Sequence, residues 1–319
     1  MVASVCVFND RRLASYNFGE QHPFGPARFD AFNEAFQTQG LDHRVHTCKA
    51  ISATQEQLEW FHDHAYVENV KLASQAGIGY LDQGDTPVVP GIYDAAALVA
   101  GTTLQSIRMI MQGECRRAFN PIGGLHHARR ERAAGFCVFN DCGIAIEALR
   151  HEYKVQRIAY VDIDAHHGDG VFYSYETDPD LVIADLHEDG HFLYPGTGAV
   201  TETGRQEAAG TKLNVPMPMG ADDKAFDKVW ESVSRFIAKA KPEFILLQCG
   251  ADSVQGDPIT HMAYSSQAHA RATADLCKLA DQHCEGRLLA LGGGGYNLEN
   301  IAAAWCAVVQ AMIENTGDS

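Results

Sequence analysis

The sequence predicts an α/β fold: a mostly parallel sheet with helices on both faces and a ligand site at the carboxyl ends of its strands. Short apolar, β-prone runs alternate with longer stretches of helical periodicity, the pattern of repeated strand and helix units. Four of those runs lead into polar clusters, where open sheets of this kind gather their ligands. No Pro/Ser-rich linker, charge block or internal repeat divides the 319 residues, so a single domain over 1–319 is expected.

Val2 to Phe8 reads as the first strand. From Pro26 to Gln37, Phe29, Phe32 and Phe36 recur at helical spacing as core contacts. Arg28 begins that helix, where a long charged side chain is normally solvated. Val45 to Lys49 is a short strand and Thr54 to Ala73 a helix. Its His62, Asp63 and His64 imitate a metal cluster, but sequence neighbours diverge around a helix, so surface histidines are expected. Gly77 to Gly91 is loop, with Asp85 at its tip as an Asx cap. Tyr93 to Gln112 is a long helix rich in Ala and Gly, suited to close packing. Arg116 to Pro121 returns as a strand into PIGGLHHARRERAAGFCVFND. The tandem His126 and His127 after Gly-Gly favour acid/base chemistry over core filling. Asn140 or Asp141 caps a helix that runs to His151.

The chemical centre is Ile158 to Gly170, IAYVDIDAHHGDG. Ile158 to Ile163 reads as a buried strand, and in an extended chain Asp162, Asp164 and His166 project to one face, which suggests a metal site. A calcium loop fails, because its sixth position is His167 rather than Gly and its twelfth Tyr173 rather than Glu. Gly168 and Gly170 imply a tight turn close to something bound. Leu181 to His187 is another buried strand, followed by EDGHFLYPGTG, a shaped loop carrying Phe192 and Tyr194. Ala221 to Lys239 is helical, and Glu243 to Cys249 is a strand that places Asp252 just past its end. After a helix from Tyr264 to His283, the strand Leu288 to Leu291 ends in GGGGY, where glycines let backbone approach a ligand and Tyr296 follows. Neither GxGxxG nor Walker spacing is present, so phosphate binding is a weak reading. Asn297 to Ile313 closes the chain as a helix.

A net charge of -16, from 25 basic and 41 acidic side chains, argues against general nucleic-acid binding and is compatible with a cationic substrate. Nine cysteines at irregular spacing, with no CxxC pair, read as reduced thiols. The N-terminus MVASVCVFNDRR lacks the charge and length of a signal or membrane span, so a cytoplasmic protein is expected.

Taken together, GGLHHA, GFCVFND, DIDAHHGDG, LYPGTG, LQCGADS and LGGGGYN resemble the zinc-dependent deacetylase superfamily of histone deacetylases, acetylpolyamine amidohydrolases and acetoin-utilization proteins. The motifs run in the family's order from about His22 to Trp305. The resemblance implies the arginase/deacetylase α/β fold, one Zn²⁺ per chain and hydrolysis of an N-acyl amide. It implies Asp164, His166 and Asp252 as metal ligands, His126 and His127 as the acid/base pair, Asp162 and Asp169 as their carboxylate partners, and Tyr296 as the group polarising the acyl oxygen. It further implies that Gly135, Phe136, Tyr194 and Gly294 shape a narrow substrate tunnel, with Asp85 at the rim and Arg28 lining an exit channel for acetate. A K⁺ or Na⁺ ion is expected near Asp162, Asp164 and His166, with Asp185 where the family usually has a serine. Fe²⁺ is conceivable in place of Zn²⁺ with such mixed O/N ligands.

Acetylpolyamine-selective relatives can carry a glutamate gatekeeper where this chain has Ile259. That favours acetyl-lysine side chains of proteins over acetylpolyamines and other small acetylated amines, although Glu188 or Asp189 near the rim could attract a cation. A ureohydrolase would need a second manganese and more bridging ligands than the sequence offers, and a non-catalytic acetyl-ligand binder would not need Tyr296. No nucleic acid or membrane is implied as a partner, and a homo-oligomer is compatible with the sequence.

Overall fold

Strands that are apolar on both faces must be covered on both, and that requirement sets the architecture. FILLQ and LLAL, for example, are buried at every position. The computed structural model describes residues 3–316. In chain order its elements are β1 (Ala3–Val7), α1 (Ala27–Thr38), β2 (His46–Thr47), α2 (Gln55–Leu58), α3 (His64–Ala76), α4 (Ile92–Met111), β3 (Cys115–Asn120), α5 (Asp141–His151) and β4 (Ile158–Asp162). There follow α6 (Asp169–Ser174), β5 (Leu181–Glu188), β6 (Lys212–Met217), α7 (Asp223–Ala240), β7 (Phe244–Gln248), α8 (Ser266–His283), β8 (Leu288–Leu291) and α9 (Leu298–Glu314). All eight strands are parallel, in the order β2-β1-β3-β8-β7-β4-β5-β6. Helices α1, α9, α8 and α7 pack on one another in one group and α3, α4, α5 and α6 in another, each against the sheet.

Register aligns the strand ends. Asp162 pairs with Gln248 on one side and Asp185 on the other, Gln248 with Leu291, and Leu291 with Asn120. The segments leaving β3, β4, β7 and β8 therefore start at one level, and these carry the polar clusters.

Most expected elements are present to within a few residues; Val2 lies outside the described residues. Three features differ. Thr54 to Ala73 is two helices: Thr54 caps α2 through a reciprocal pair with Gln57 (3.2 and 2.9 Å), and the chain turns before α3 begins at His64. β6 carries no clear period and contains Pro216, which an edge strand paired only to β5 tolerates. Asp82, not Asp85, is the Asx cap of the 77–91 loop, accepting from the backbone of Gly84, Asp85 and Thr86 at 2.9 Å each. Asn140 caps α5 by accepting from Gly143 N at 2.8 Å. None of the nine cysteines is disulfide-bonded, and among the described residues no helix is long and apolar enough to cross a membrane.

His62 is no surface histidine. It is 2% exposed in the turn between α2 and α3, where its Nε2 accepts from Asn140 N at 2.9 Å. Accepting requires the neutral ring, and burial pushes its pKa down to about 3. In the unfolded chain the ring binds its proton near pH 6.5, so the unfolded state holds more protons between pH 6.5 and 3. His62 therefore contributes stability above pH 6.5 that is lost on acidification, about 2 kcal/mol by pH 5. Denaturant titrations at pH 7.5 and 5 should show this extra loss in the wild type and not in His62→Leu.

Candidate active site

The loops beyond β4 and β7 bring three donors together. Asp164, His166 and Asp252 are buried, with ligand atoms all within 4.8 Å of one another. His166 Nδ1 lies 3.1 Å from Asp164 Oδ1 and 3.1 Å from Asp252 Oδ2. A single ring nitrogen between two carboxylates calls for positive charge. Burial disfavours the charged ring, yet hydrogen bonds to both carboxylates raise the His166 pKa to about 10. The N,O,O set fits a divalent metal such as Zn²⁺, with coordination left open to water or substrate.

The free carboxylate edges are held in place. Asp164 Oδ2 accepts from Gln248 Nε2 (2.8 Å) and Gly294 N (2.9 Å), and Asp252 Oδ1 accepts from Ala165 N (2.9 Å). Gly294 has no room for a side chain, since a Cβ there falls 2.0 Å from Asp252 Oδ2. Asp162 does not join the donors. The strand ends at it, the backbone leaves extended geometry, and its carboxylate turns to His126 Nδ1 (2.8 Å) and the Tyr160 hydroxyl (2.6 Å).

The tandem histidines follow β3 and face each other through their Nε2 atoms, 3.1 Å apart. His127 Nδ1 is 2.8 Å from Asp169 Oδ1, and Arg129 donates to the other Asp169 oxygen at 2.8 Å. The two rings are driven apart in pKa. Burial opposes charge on His126, but Asp162 and Asp164 overcome it and push its pKa up to about 9. Burial, and then the neighbouring His126 charge, push His127 down to about 4. The surroundings thus favour the cation on His126 and the free base on His127.

Tyr296 follows the glycine run and lines the same small cavity as both histidines and the three donors. Burial holds its pKa well above the usual tyrosine value, so the phenol stays a donor. Outward from it, a pocket of about 230 Å³ is lined by Asp85, Gly135, Phe136, Leu193, Tyr194 and Ile259 above His127 and His166. Tyr194 lies edge-on to His127, ring centroids 5.1 Å apart, and Phe136 to Tyr296 at 5.8 Å. Phe136 has φ 66°, a region that costs a non-glycine residue about 1–3 kcal/mol. It is held there by its N–H to Thr86 Oγ1 (3.2 Å) and its carbonyl to the Tyr16 hydroxyl (2.6 Å).

Arg28 is not solvated at its helix start. It is 1% exposed, donates to the carbonyls of Gly295 (2.7 Å) and Gly293 (2.5 Å), and stacks on Phe24, with Nη1 unpartnered. Asp185 is buried and accepts from His187 Nδ1 (2.7 Å) and Gly168 N (2.9 Å). His187 Nε2 faces the Gly198 carbonyl at 3.0 Å. Both neighbours are acceptors, which favours a proton on each ring nitrogen; burial opposes that charge, but Asp185 raises the His187 pKa. Glu188 is no rim charge: its side chain is fully buried and bonded to His261. Asp189 is tied to His191.

Gln248, Tyr160, Leu193 and His187 were not singled out by sequence. Gln248 had a signal: it is the polar residue ending the apolar run of β7, as Asp162 is in β4, its register partner. Tyr160 shares a strand face with Asp162.

A family model described as the histone deacetylase domain matches residues 22–312. The chain is 34% identical over 303 residues to the acetoin utilization protein AcuC of Bacillus subtilis (strain 168), covering 92% of this chain and 78% of that protein. It is 30% identical over 312 residues to the histone deacetylase RPD3 of Saccharomyces cerevisiae, covering 95% and 70%. Among solved structures, the HD domain of HDA15 superposes with a TM-score of 0.90 at 28% identity, over 98% of this chain and 89% of that one.

Removing the Gln248 donor leaves Asp164 Oδ2 with one backbone N–H. Gln248→Leu should weaken Zn²⁺ binding about 10–100-fold, read by competition with a chromogenic chelator; unchanged affinity removes Gln248 from the support of the metal.

Proposed function

The chain belongs to the histone deacetylase domain family and is a deacetylase hydrolase, and on that premise we propose that it cleaves N-acetyl amides borne on a linear alkyl chain, above all acetyl-lysine side chains of proteins. The observation that carries this reading is a buried N,O,O donor set at the floor of a narrow pocket, flanked by one charged and one neutral histidine and a tyrosine. Asp164, His166 and Asp252 would hold the Zn²⁺ of the family. When bound, that ion polarises the amide carbonyl and lowers the pKa of a water.

The chain's own groups do the rest. His127, neutral and oriented by Asp169, exchanges the contact of its Nε2 with His126 for the attacking water, takes that water's proton there and passes it to the leaving amine nitrogen. His126, kept charged by Asp162, stabilises the negative charge that develops beside it. The Tyr296 hydroxyl donates to the acyl oxygen as it gains charge. Phe136 and Tyr194, with Gly135 and Gly294 between backbone and ligand, enclose the alkyl chain and exclude water. Asp85, exposed at the rim, accepts from backbone N–H groups of a protein substrate. Acetate leaves past Arg28, whose unpartnered Nη1 suits an anion. A K⁺ or Na⁺ ion near Asp162, Asp164, His166 and Asp185 belongs to the same reading, with His187 already offsetting Asp185, as do a cytoplasmic location and a single domain.

The apolar Ile259 at the pocket mouth favours an uncharged flank over a polyamine tail. A fluorogenic acetyl-lysine peptide should be hydrolysed in preference to N-acetylspermidine; turnover of the polyamine alone overturns the substrate assignment. Tyr296→Phe should retain metal and lose about 10²–10³-fold in kcat, whereas Asp252→Ala should lose metal and turnover together. A Tyr296→Phe enzyme with unchanged kcat removes the phenol from the mechanism.

A further inference from the structure

Two of the segments that line the pocket mouth are distant in sequence, the loop after β5 with Leu193 and Tyr194 and the loop after Asp252 with Ile259. One buried carboxylate joins them. Glu188 ends β5 with no side-chain exposure, and both of its oxygens accept from His261: Oε2 from the backbone N–H and Oε1 from Nδ1, each at 2.8 Å. Among the described residues no lysine or arginine pairs with it. A carboxylate withdrawn from water with only those donors is held as long as they stay in place.

Residues 257–261 form no helix or strand, yet they are pinned along their length. Asp257 accepts from Tyr296 N (2.7 Å) and Ile259 N (3.1 Å). The Thr260 hydroxyl donates to the Asp252 carbonyl at 2.5 Å, and the His261 carbonyl accepts from Gly220 N at 2.9 Å. The segment thus runs from the base of Tyr296, past Asp252, to the end of β5. Ile259 is its member that lines the pocket mouth.

We propose that Glu188 and His261 are positioning residues: their two-point clasp fixes these two walls of the pocket mouth relative to each other and so holds Ile259 where it selects an uncharged alkyl chain. The kinetic half of this inference rests on the deacetylase reading above; the structural half does not. The His261 side chain is 52% exposed, so its truncation opens no core cavity. Asn at this position can offer Nδ2 near the place of the ring Nδ1.

The test compares wild type, His261→Ala and His261→Asn by amide hydrogen exchange and by kinetics on the acetyl-lysine peptide and N-acetylspermidine. His261→Ala should speed exchange about tenfold in both 189–198 and 257–261, with β4 and β7 unchanged. KM for the peptide should rise about five- to tenfold with kcat within about twofold, and preference over the polyamine should shrink. His261→Asn should restore both readouts. Faster exchange in 257–261 alone, an Asn variant that matches Ala, or a fall in kcat at constant KM overturns the clasp. A wild type that turns over neither substrate overturns the functional reading instead, and the exchange measurement then decides the clasp by itself.

Discussion

Four carboxylates, Asp162, Asp164, Asp185 and Asp252, are buried at the ends of β4, β5 and β7. Taking an ionised group out of water costs several kcal/mol unless partners replace the lost solvation, and the surroundings are organised to supply them. His126 charges against Asp162, His187 against Asp185, and Gln248, Gly294 and Ala165 donate to Asp164 and Asp252. What remains unbalanced is the point between Asp164, His166 and Asp252. These four charges are thus each given partners, and between Asp164, His166 and Asp252 they leave a donor set that fits a metal ion.

The same concentration of charge separates the two adjacent histidines. Their sequence positions differ by one residue, but one ring is acted on by Asp162 and Asp164, whereas the other, paired with Asp169, also lies against its charged neighbour. Division of labour between a cationic and a neutral imidazole therefore arises from environment rather than residue type, as for titratable pairs generally.

Rigidity around this centre comes from loops fixed by hydrogen bonds. Arg28 locks the glycine run through two carbonyls, Thr86 and Tyr16 keep Phe136 at positive φ, and Glu188 ties the loop of Ile259 to the sheet. Glycine and loop segments have no intrinsic geometry at this precision, so each is held from outside by a buried polar group.

By itself the sequence determined the parallel α/β scheme, because alternating periodicities and apolar strands admit few other arrangements. It also marked Asp164, His166, Asp252, the tandem histidines and Tyr296, because polar residues beyond the ends of apolar runs reach the same sheet edge through parallel register. It misjudged His62, expected at the surface, and Glu188, expected at the rim, and for Arg28 the helix-start reading pointed to solvent whereas the family resemblance pointed inward. Burial of a charged or titratable side chain depends on partners such as Asn140, Gly295 or His261 that lie 73 to 267 residues away. The tertiary structure set Asp162 against His126, as the family resemblance implied and the strand-face argument did not, and only it gave the two adjacent histidines opposite surroundings. Those outcomes follow from distances of about 3 Å between segments remote in sequence, where Coulomb energy and desolvation are decided.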